Sequence, residues 1–370
     1  MLITEGSAKI EIAGKLEKIS RELPVFYNPA MAFNRSLTVL LLNSLDKTEM
    51  RILDLLAGSG IRSLRFLLEL EKKKLKEIII NDGKKGFCRV MKKNLRLNKI
   101  KLSKKIFLQE EEANRFLTSA EGYDYIEIDP FGSPNEFLNN ALKHLAREGI
   151  LGVTATDTAP LAGKYPATCQ RNYWAKPLRG ELQHEIGLRI LIRKVQLIGA
   201  QFDKALMPLF SFYKDHYYRV FFFCEKGKQK ADKVMVQHQY LLYCPACLNR
   251  KVSFFNKEKC SCGKEFIFVG PLWTGQLFDK VLTAKMCRKN TYLELQRFLE
   301  IAEKEAEVKT VGFYCMHVLA GKLKKDIPKK EIIMAKLRKQ KINFSETIFS
   351  PTGIRAAAEI ETIKKLLIDY

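Results

Sequence analysis

Residues 51–70, RILDLLAGSGIRSLRFLLEL, join a short apolar run to a glycine turn and then to apolar positions at helical spacing, Ile61, Leu64, Leu67 and Leu68. That is the pattern of a strand, a loop and a helix. KEIIINDGKKGFCRVMKKNLRLN (76–98) repeats it, with a strand at 78–81 and a basic helix from about 84 to 97. A third unit contains YDYIEIDPFGSPNEFL (123–138), a strand that runs into a carboxylate and a proline before a helix near 135–147. GILGVTATD (149–157) supplies a fourth strand and YYRVFFFCEK (217–226) the last strong one. Strands alternating with helices predict an α/β fold with a doubly wound, mostly parallel sheet.

Around this core the composition shifts. Residues 1–35 form a mixed lead-in with Pro24 and Pro29, and the polar stretch EKGKQKADK (225–233) reads as a linker. From about 274 onward the chain reads as helices, and GKLKKDIPKKEIIMAKLRKQKINFSETIFSPTGIRA (321–356) has the character of a small winged-helix module in which basic residues alternate with aromatics. A surface of that kind suits RNA, although a solvated helix face gives the same pattern.

The 64 basic and 41 acidic residues leave a net charge of +23. An excess that large points to a polyanionic partner, nucleic acid above all, because cations that meet phosphates release counterions. The longest apolar runs, LTVLLL (37–42) and VFFFC (220–224), fall far short of a membrane span, which needs about 20 residues. No secretory signal opens the chain, so a cytoplasmic setting without membrane attachment is expected, and no protein partner is implied.

Nine cysteines in a reducing compartment favour metal over disulfides where they cluster. Cys244 and Cys247, then Cys260 and Cys262 after twelve residues, form two close pairs at a spacing like that of a zinc ribbon. Four thiolates can surround a structural Zn²⁺ and staple a small module. The second pair is C-x-C rather than C-x-x-C, and a Lys/Glu-rich composition of thermophilic type leaves disulfides open.

The first glycine loop, with Gly58 and Gly60, lets the backbone approach a ligand at a helix N-terminus. Asp82 closes the second strand where a carboxylate can accept both hydroxyls of a ribose. Glu112 follows the third strand. A dinucleotide site would carry glycine where this chain has Ser63, and Asp54 just before the loop would repel a pyrophosphate. Asp54 suits a ligand with a cationic end, so S-adenosylmethionine is the expected cofactor, with a helix cap as the plainer role for that carboxylate.

DPFGSP (129–134), PVFYNPAMAFNRSL (24–37), LDLLAGSGIRSLRF (53–66), EEANRF (111–116) and ATDTAPLAG (155–163) together resemble the tRNA (guanine26-N2)-dimethyltransferase family, over nearly the whole chain. The resemblance implies a Rossmann-like class I methyltransferase domain over 36–230. It also implies an N-terminal segment, 1–35, covering the active site, and a C-terminal tRNA-binding domain, 231–370, of α+β type. Arg35 and Arg62 should contact the donor, Asp82 its ribose, and Glu112 with the Ala113 N–H its adenine; the family often has aspartate at the Glu112 position. Phe26 and Tyr27 should line the entrance.

The same resemblance gives Asp129 a task. The N2 of guanine is a poor nucleophile, and a carboxylate accepting its N–H stabilises the charge that develops as a methyl group arrives. The Pro130 carbonyl can accept a second bond, Phe131 can stack on a base removed from its helix, and Gly132 allows close approach. One alternative is an adenine-N6 methyltransferase on nucleic acid, which also uses an acidic or amide residue before proline and an aromatic. Another is an RNA-binding zinc-ribbon protein that has lost activity. A nicotinamide dehydrogenase is a more distant reading, because this chain lacks the third glycine and any obvious hydride partner.

Overall fold

A computed structural model describes residues 1–12, 26–119 and 121–368. Much of the segment expected to cover the site, residues 13–25 with Pro24, lies outside them. A hairpin of β1 (Leu2–Glu5) and β2 (Ala8–Glu11) comes first, and α1 (Ala32–Ser44) follows. The repeating units are β3 (Met50–Asp54) with α2 (Ile61–Glu69), β4 (Leu75–Asn81) with α3 (Phe87–Leu97), and β5 (Ile106–Gln109) with α4 (Ala113–Thr118). They continue as β6 (Tyr123–Ile128) with α5 (Asn135–His144), then β7 (Leu145–Ala155), the short α6 (Thr158–Leu161), α7 (Pro166–Tyr173) and the long α8 (Gln183–Ala200). A hairpin, β8 (Lys204–Lys214) and β9 (Tyr217–Lys226), completes the sheet.

The seven strands lie in the order β5-β4-β3-β6-β7-β9-β8. β3 to β7 are parallel, β9 runs against them, and the edge strand β8, antiparallel to β9, points the same way as β3 to β7. Successive units build outward from β3 to β5, and the chain then returns to lay β6 on the other side of β3. That reversal opens a crevice at the carboxyl ends of β3 and β6, where ligands of open α/β sheets bind.

The strand β8 has no counterpart in the sequence reading. Pro208 interrupts its pattern, and the pairing register shifts between Pro208 and Phe210. A proline is tolerated there because β8 is the sheet's edge. The polar stretch read as a linker is instead largely helical, α9 (Lys228–Met235), anchored by buried Ala231 and Val234.

Beyond it, β10 (His238–Tyr243), β11 (Arg250–Ser253) and β12 (Ile267–Trp273) form a sheet in the order β11-β10-β12. Next come α10 (Lys280–Lys289), α11 (Gln296–Glu305), β13 (Tyr314–Cys315), α12 (Met316–Leu323) and α13 (Lys330–Lys339). The hairpin of β14 (Phe344–Thr347) and β15 (Ser350–Ala356) and the helix α14 (Ile360–Ile368) end the chain. The sheet order β13-β15-β14, with helices α11 to α13 in that sequence, gives a winged-helix arrangement. After 274, where the chain reads mainly as helices, the three strands supply the sheet of that module.

Buried charges join this module to the long helix α8. Glu185 accepts hydrogen bonds from Arg189 Nε at 2.8 Å, the Gly312 N–H at 2.8 Å and Arg355 Nη2 at 2.7 Å. Arg355 Nε also donates to Glu305 at 2.8 Å. Burial raises the cost of the Glu185 charge, yet the two arginines hold its carboxyl down at about 2. Glu185→Ala leaves buried Arg189 without its carboxylate and Arg355 with Glu305 alone, and is expected to cost about 3–5 kcal/mol. Calorimetric melting checks this, and an unchanged transition would contradict the clamp.

Candidate active site

The carboxyl ends of the parallel strands deliver one functional group each: Asp54 from β3, Asp82 after β4, Asp129 after β6 and Thr156 after β7. All four line a cavity of about 740 Å³, together with Phe26, Tyr27, Arg35, Gly58, Arg62, Pro130, Phe131 and the β8–β9 turn residues Asp215 and His216. The volume lies in the ~300–1,000 Å³ range of small-ligand pockets.

Asp82 orders the glycine loop. Its Oδ2 accepts from the Gly58 N–H at 2.8 Å and its Oδ1 from the Lys84 N–H at 2.9 Å. Burial pushes its carboxyl upward against those two bonds. Gly58 has φ +57, and Gly60 has φ +74 where an added Cβ would meet Met91 Sδ at 2.2 Å. Gly60 therefore caps α2 and makes room for Met91, and it does not line the cavity. Asp54 does not cap the helix. Its Oδ2 accepts from Ser63 Oγ at 2.6 Å, and burial lifts its carboxyl to about 7 although Arg62 pulls it down.

Asp129 is gripped from below. Arg62 on α2 donates from Nη2 to Asp129 Oδ2, while its Nη1 lies 3.7 Å from Glu127 Oε2 and donates to Thr38 Oγ1 at 3.2 Å. Arg62, expected at the donor, thus lines the cavity but spends its guanidinium on these groups. Glu127 is fully buried and is also bound by Arg219 Nη1 and Nη2, the latter at 2.7 Å, and by the Tyr125 hydroxyl. The arginines hold its carboxyl down despite burial.

At the rim, the rings of Phe26 and Phe131 meet edge to face at 4.3 Å, and Phe131 is 37% exposed. Gly132, at φ +85, sits behind the rim, where its N–H donates to Thr156 Oγ1 at 2.6 Å and its carbonyl accepts from the Thr156 N–H at 2.9 Å. Arg35 is tied to Glu5 of the first hairpin, through Nε at 2.6 Å, and to the Asn28 carbonyl at 2.9 Å. Tyr27 donates to the same Glu5 at 2.9 Å.

Glu112 and Ala113 stand apart from the cavity lining. Glu112 caps α4, accepting from the Asn114 and Arg115 N–H groups at 3.0 and 2.8 Å, and Ala113 is buried in that helix's first turn. A glutamate one residue before a helix finds those free N–H groups first. Sequence reasoning missed Glu5, Thr38, Glu127, Arg219 and Thr156. The signal for two of them was a charge inside an apolar strand, Glu127 in YDYIEI and Arg219 in YYRVFFF.

The four clustered cysteines converge between β10, β11 and β12. Their Sγ atoms all lie within 4.8 Å of one another, with Cys244–Cys262 and Cys247–Cys260 each at 3.5 Å. Sulfurs around a tetrahedral Zn²⁺ stand roughly 3.8 Å apart, given Zn–S bonds near 2.3 Å. The thiols are free rather than bridged, so the set fits a structural ion.

Two outcomes follow from this geometry. The reduced protein is expected to carry about one zinc per chain, and Cys260→Ser to lower both metal content and melting temperature; elemental analysis finding none would remove the site. Asp54 has a folded pKa raised to about 7 from an ordinary 3.8, so its contribution is fully present below pH 4 and is lost as pH rises through 7. Asp54→Asn is therefore expected to melt about 2–5 °C above the parent at pH 8, with the gap narrowing as pH falls and closing near pH 4. A pH-independent difference would show that the carboxyl titrates normally.

Comparison with known proteins places this geometry. The family described as TRM, N2,N2-dimethylguanosine tRNA methyltransferase, matches residues 6–368. A tRNA (guanine(26)-N(2)/guanine(27)-N(2))-dimethyltransferase of Aquifex aeolicus is 39% identical, over 98% of this chain and 95% of its own. A tRNA (guanine(26)-N(2))-dimethyltransferase of Pyrococcus horikoshii is 38% identical, over 98% of both. The solved structure of Trm1 from Pyrococcus horikoshii with S-adenosyl-L-methionine superposes with a TM-score of 0.86 at 34% identity, covering 99% of each chain. Full-length matches of this kind leave no large segment unaccounted for: the chain belongs to the N2,N2-dimethylguanosine tRNA methyltransferase family.

Proposed function

We propose that the protein is a methyltransferase that takes methyl groups from S-adenosylmethionine and places them on the exocyclic N2 of guanine 26 in tRNA. The observation that carries the reading is Asp129, fixed by Arg62 at the mouth of a cavity whose floor is Asp54, Gly58 and Asp82. The donor set fits the cofactor: Asp82 would hold the ribose hydroxyls and Asp54 would face the cationic end, whose charge favours the ionised carboxylate. When bound, S-adenosylmethionine supplies an electrophilic methyl group.

The chain's own residues do the rest. Phe131, with Phe26 against its edge, offers a stacking face for a base drawn out of the tRNA. Arg62 occupies Asp129 Oδ2 and leaves Oδ1 to accept an N2–H bond, which strengthens as positive charge grows on the nitrogen. The Pro130 carbonyl can take the second N–H. Thr156, bonded to both backbone groups of Gly132, keeps this loop in place during two successive transfers.

Family membership favours this reading over an adenine-N6 methyltransferase, and a complete site argues against an inactive RNA binder. A neighbouring guanine at position 27 is a second target to test, because the Aquifex aeolicus relative bears both positions in its name. Mass spectrometry of nucleosides from treated tRNA, with guanine at 26 or 27 replaced in turn, assigns the position; no N2-methylguanosine in any transcript would overturn the proposal. Asp129→Ala is expected to lower single-turnover methyl transfer by about 10²–10³, with donor affinity nearly unchanged. Near-normal transfer would reduce Asp129 to a turn residue.

A further inference from the structure

Away from the cavity, three cations and three aromatic rings meet at the seam between the catalytic sheet and the cysteine module. Lys194 Nζ lies 3.0 Å from the ring centre of Trp174, and Arg193 Nη1 donates to the Trp174 carbonyl at 3.2 Å. Lys176 Nζ lies 4.1 Å from the ring centre of Phe268, which meets Tyr240 edge to face at 6.0 Å. Tyr240 in turn is close enough to bear on Arg193. The backbones of Lys176 and Gly270 exchange both hydrogen bonds, at 2.9 and 2.8 Å, which closes the seam.

This cluster lacks its counter-charge. Among the described residues no carboxylate acts on Arg193 or Lys194, and burial with the Arg193 charge brings the Lys194 ammonium down to about 8. Arg193 Nε is buried with no hydrogen-bond partner. Elsewhere the fold matches its buried arginines with glutamates, as at Glu127 and Glu185. Trp174 is 46% exposed and sits at φ +57, a conformation uncommon for a bulky side chain. An outlier of this sort asks for a functional reason.

The patch adjoins the reaction site. Trp174 caps α7, and the preceding Tyr173 hydroxyl lies 3.0 Å from Ser133 Oγ in the loop that follows Phe131. The Asn172 carbonyl on the same helix accepts from Asn135 Nδ2 at 2.9 Å.

We propose that this seam is a second contact for the RNA substrate, in which Lys176 and Arg193 take a backbone phosphate and the open face of Trp174 stacks on an unpaired base. The proposal rests on the tRNA reading above and adds a site to it. Lys194 beneath the ring draws on its inner face and leaves the outer face better suited to an electron-rich base. An aromatic platform flanked by cations is how proteins hold single-stranded nucleotides.

Binding of tRNA measured by fluorescence anisotropy against salt tests this without any methyl transfer. Lys176→Glu changes an exposed side chain and keeps the backbone bonds to Gly270, so folding is retained. It is expected to raise the tRNA Kd about 10-fold and to flatten the log–log salt slope by about 1. Trp174→Ala is expected to weaken binding about 5- to 100-fold. Of the two tryptophans Trp273 is fully buried, so acrylamide quenching reports on Trp174, and tRNA should protect it. Parent protein that binds tRNA while both variants keep its Kd and slope, with Trp174 still open to quencher, overturns the patch alone. Parent protein that binds no tRNA overturns the patch and the proposed function together. Parent protein that binds tRNA through the patch but methylates no guanine leaves the patch standing and fails only the proposed function.

Discussion

Glu127 is the group on which the catalytic half depends. A fully buried carboxylate is tolerable only when its charge is matched and its lone pairs are filled, and here Arg219, Arg62 and Tyr125 do both. Each partner comes from a different place. Arg219 lies on β9, Arg62 on α2 and Tyr125 on β6 itself. Thr38 of α1 accepts from both arginines, and Thr154 of β7 from Arg219 at 3.0 Å. One carboxylate thereby fixes three strands and two helices beneath the crevice. Replacing the set with apolar residues would cost the fold little in principle. It would leave Asp129 without Arg62 in position.

Asp129 is part of that arithmetic. Tyr125 and Glu127 alternate along β6, and Asp129, one residue past its end, continues the same spacing. The two guanidiniums of Arg62 and Arg219 thus balance the two carboxylates of Glu127 and Asp129 beneath the crevice. The same physics recurs at Glu185 and Glu305, where Arg189 and Arg355 bind the C-terminal module to α8. Two dry ion clusters, one under the site and one at the module boundary, hold both in a fixed relation.

How much of this could be read from the residues alone depends on how local each cause is. The strand–loop–helix units were legible because their signal is a change of hydrophobic period within a few residues, as in 51–70. Asp82 and the glycine loop were legible because the spacing between neighbouring parallel strands is narrow. Three things were not. Pro208 masked an edge strand whose existence depends on pairing with β9. Basic α9 looked like a linker because only Ala231 and Val234 anchor it. The capping role of Glu112 was hidden because its partners, the free N–H groups of α4, become visible only once the helix start is fixed.

The site residues divide in the same way, and the division explains the roles of the two arginines read as donor contacts. A resemblance carries a residue's identity but not its neighbours, and an arginine's role is set by the carboxylate nearest to it. Arg35 meets Glu5, from a hairpin thirty positions away, and Arg62 meets Asp129 and Glu127. In each case the guanidinium fixes protein before it touches ligand. For Asp129 this has a chemical consequence. An isolated carboxylate at a pocket mouth would be free to rotate. One anchored through Oδ2 by a buried arginine is held in a single orientation with Oδ1 forward. In the proposed reaction it would serve as a pre-oriented acceptor for a nitrogen that becomes acidic only as the methyl group arrives, and its stabilisation would then fall in the transition state rather than in the bound substrate.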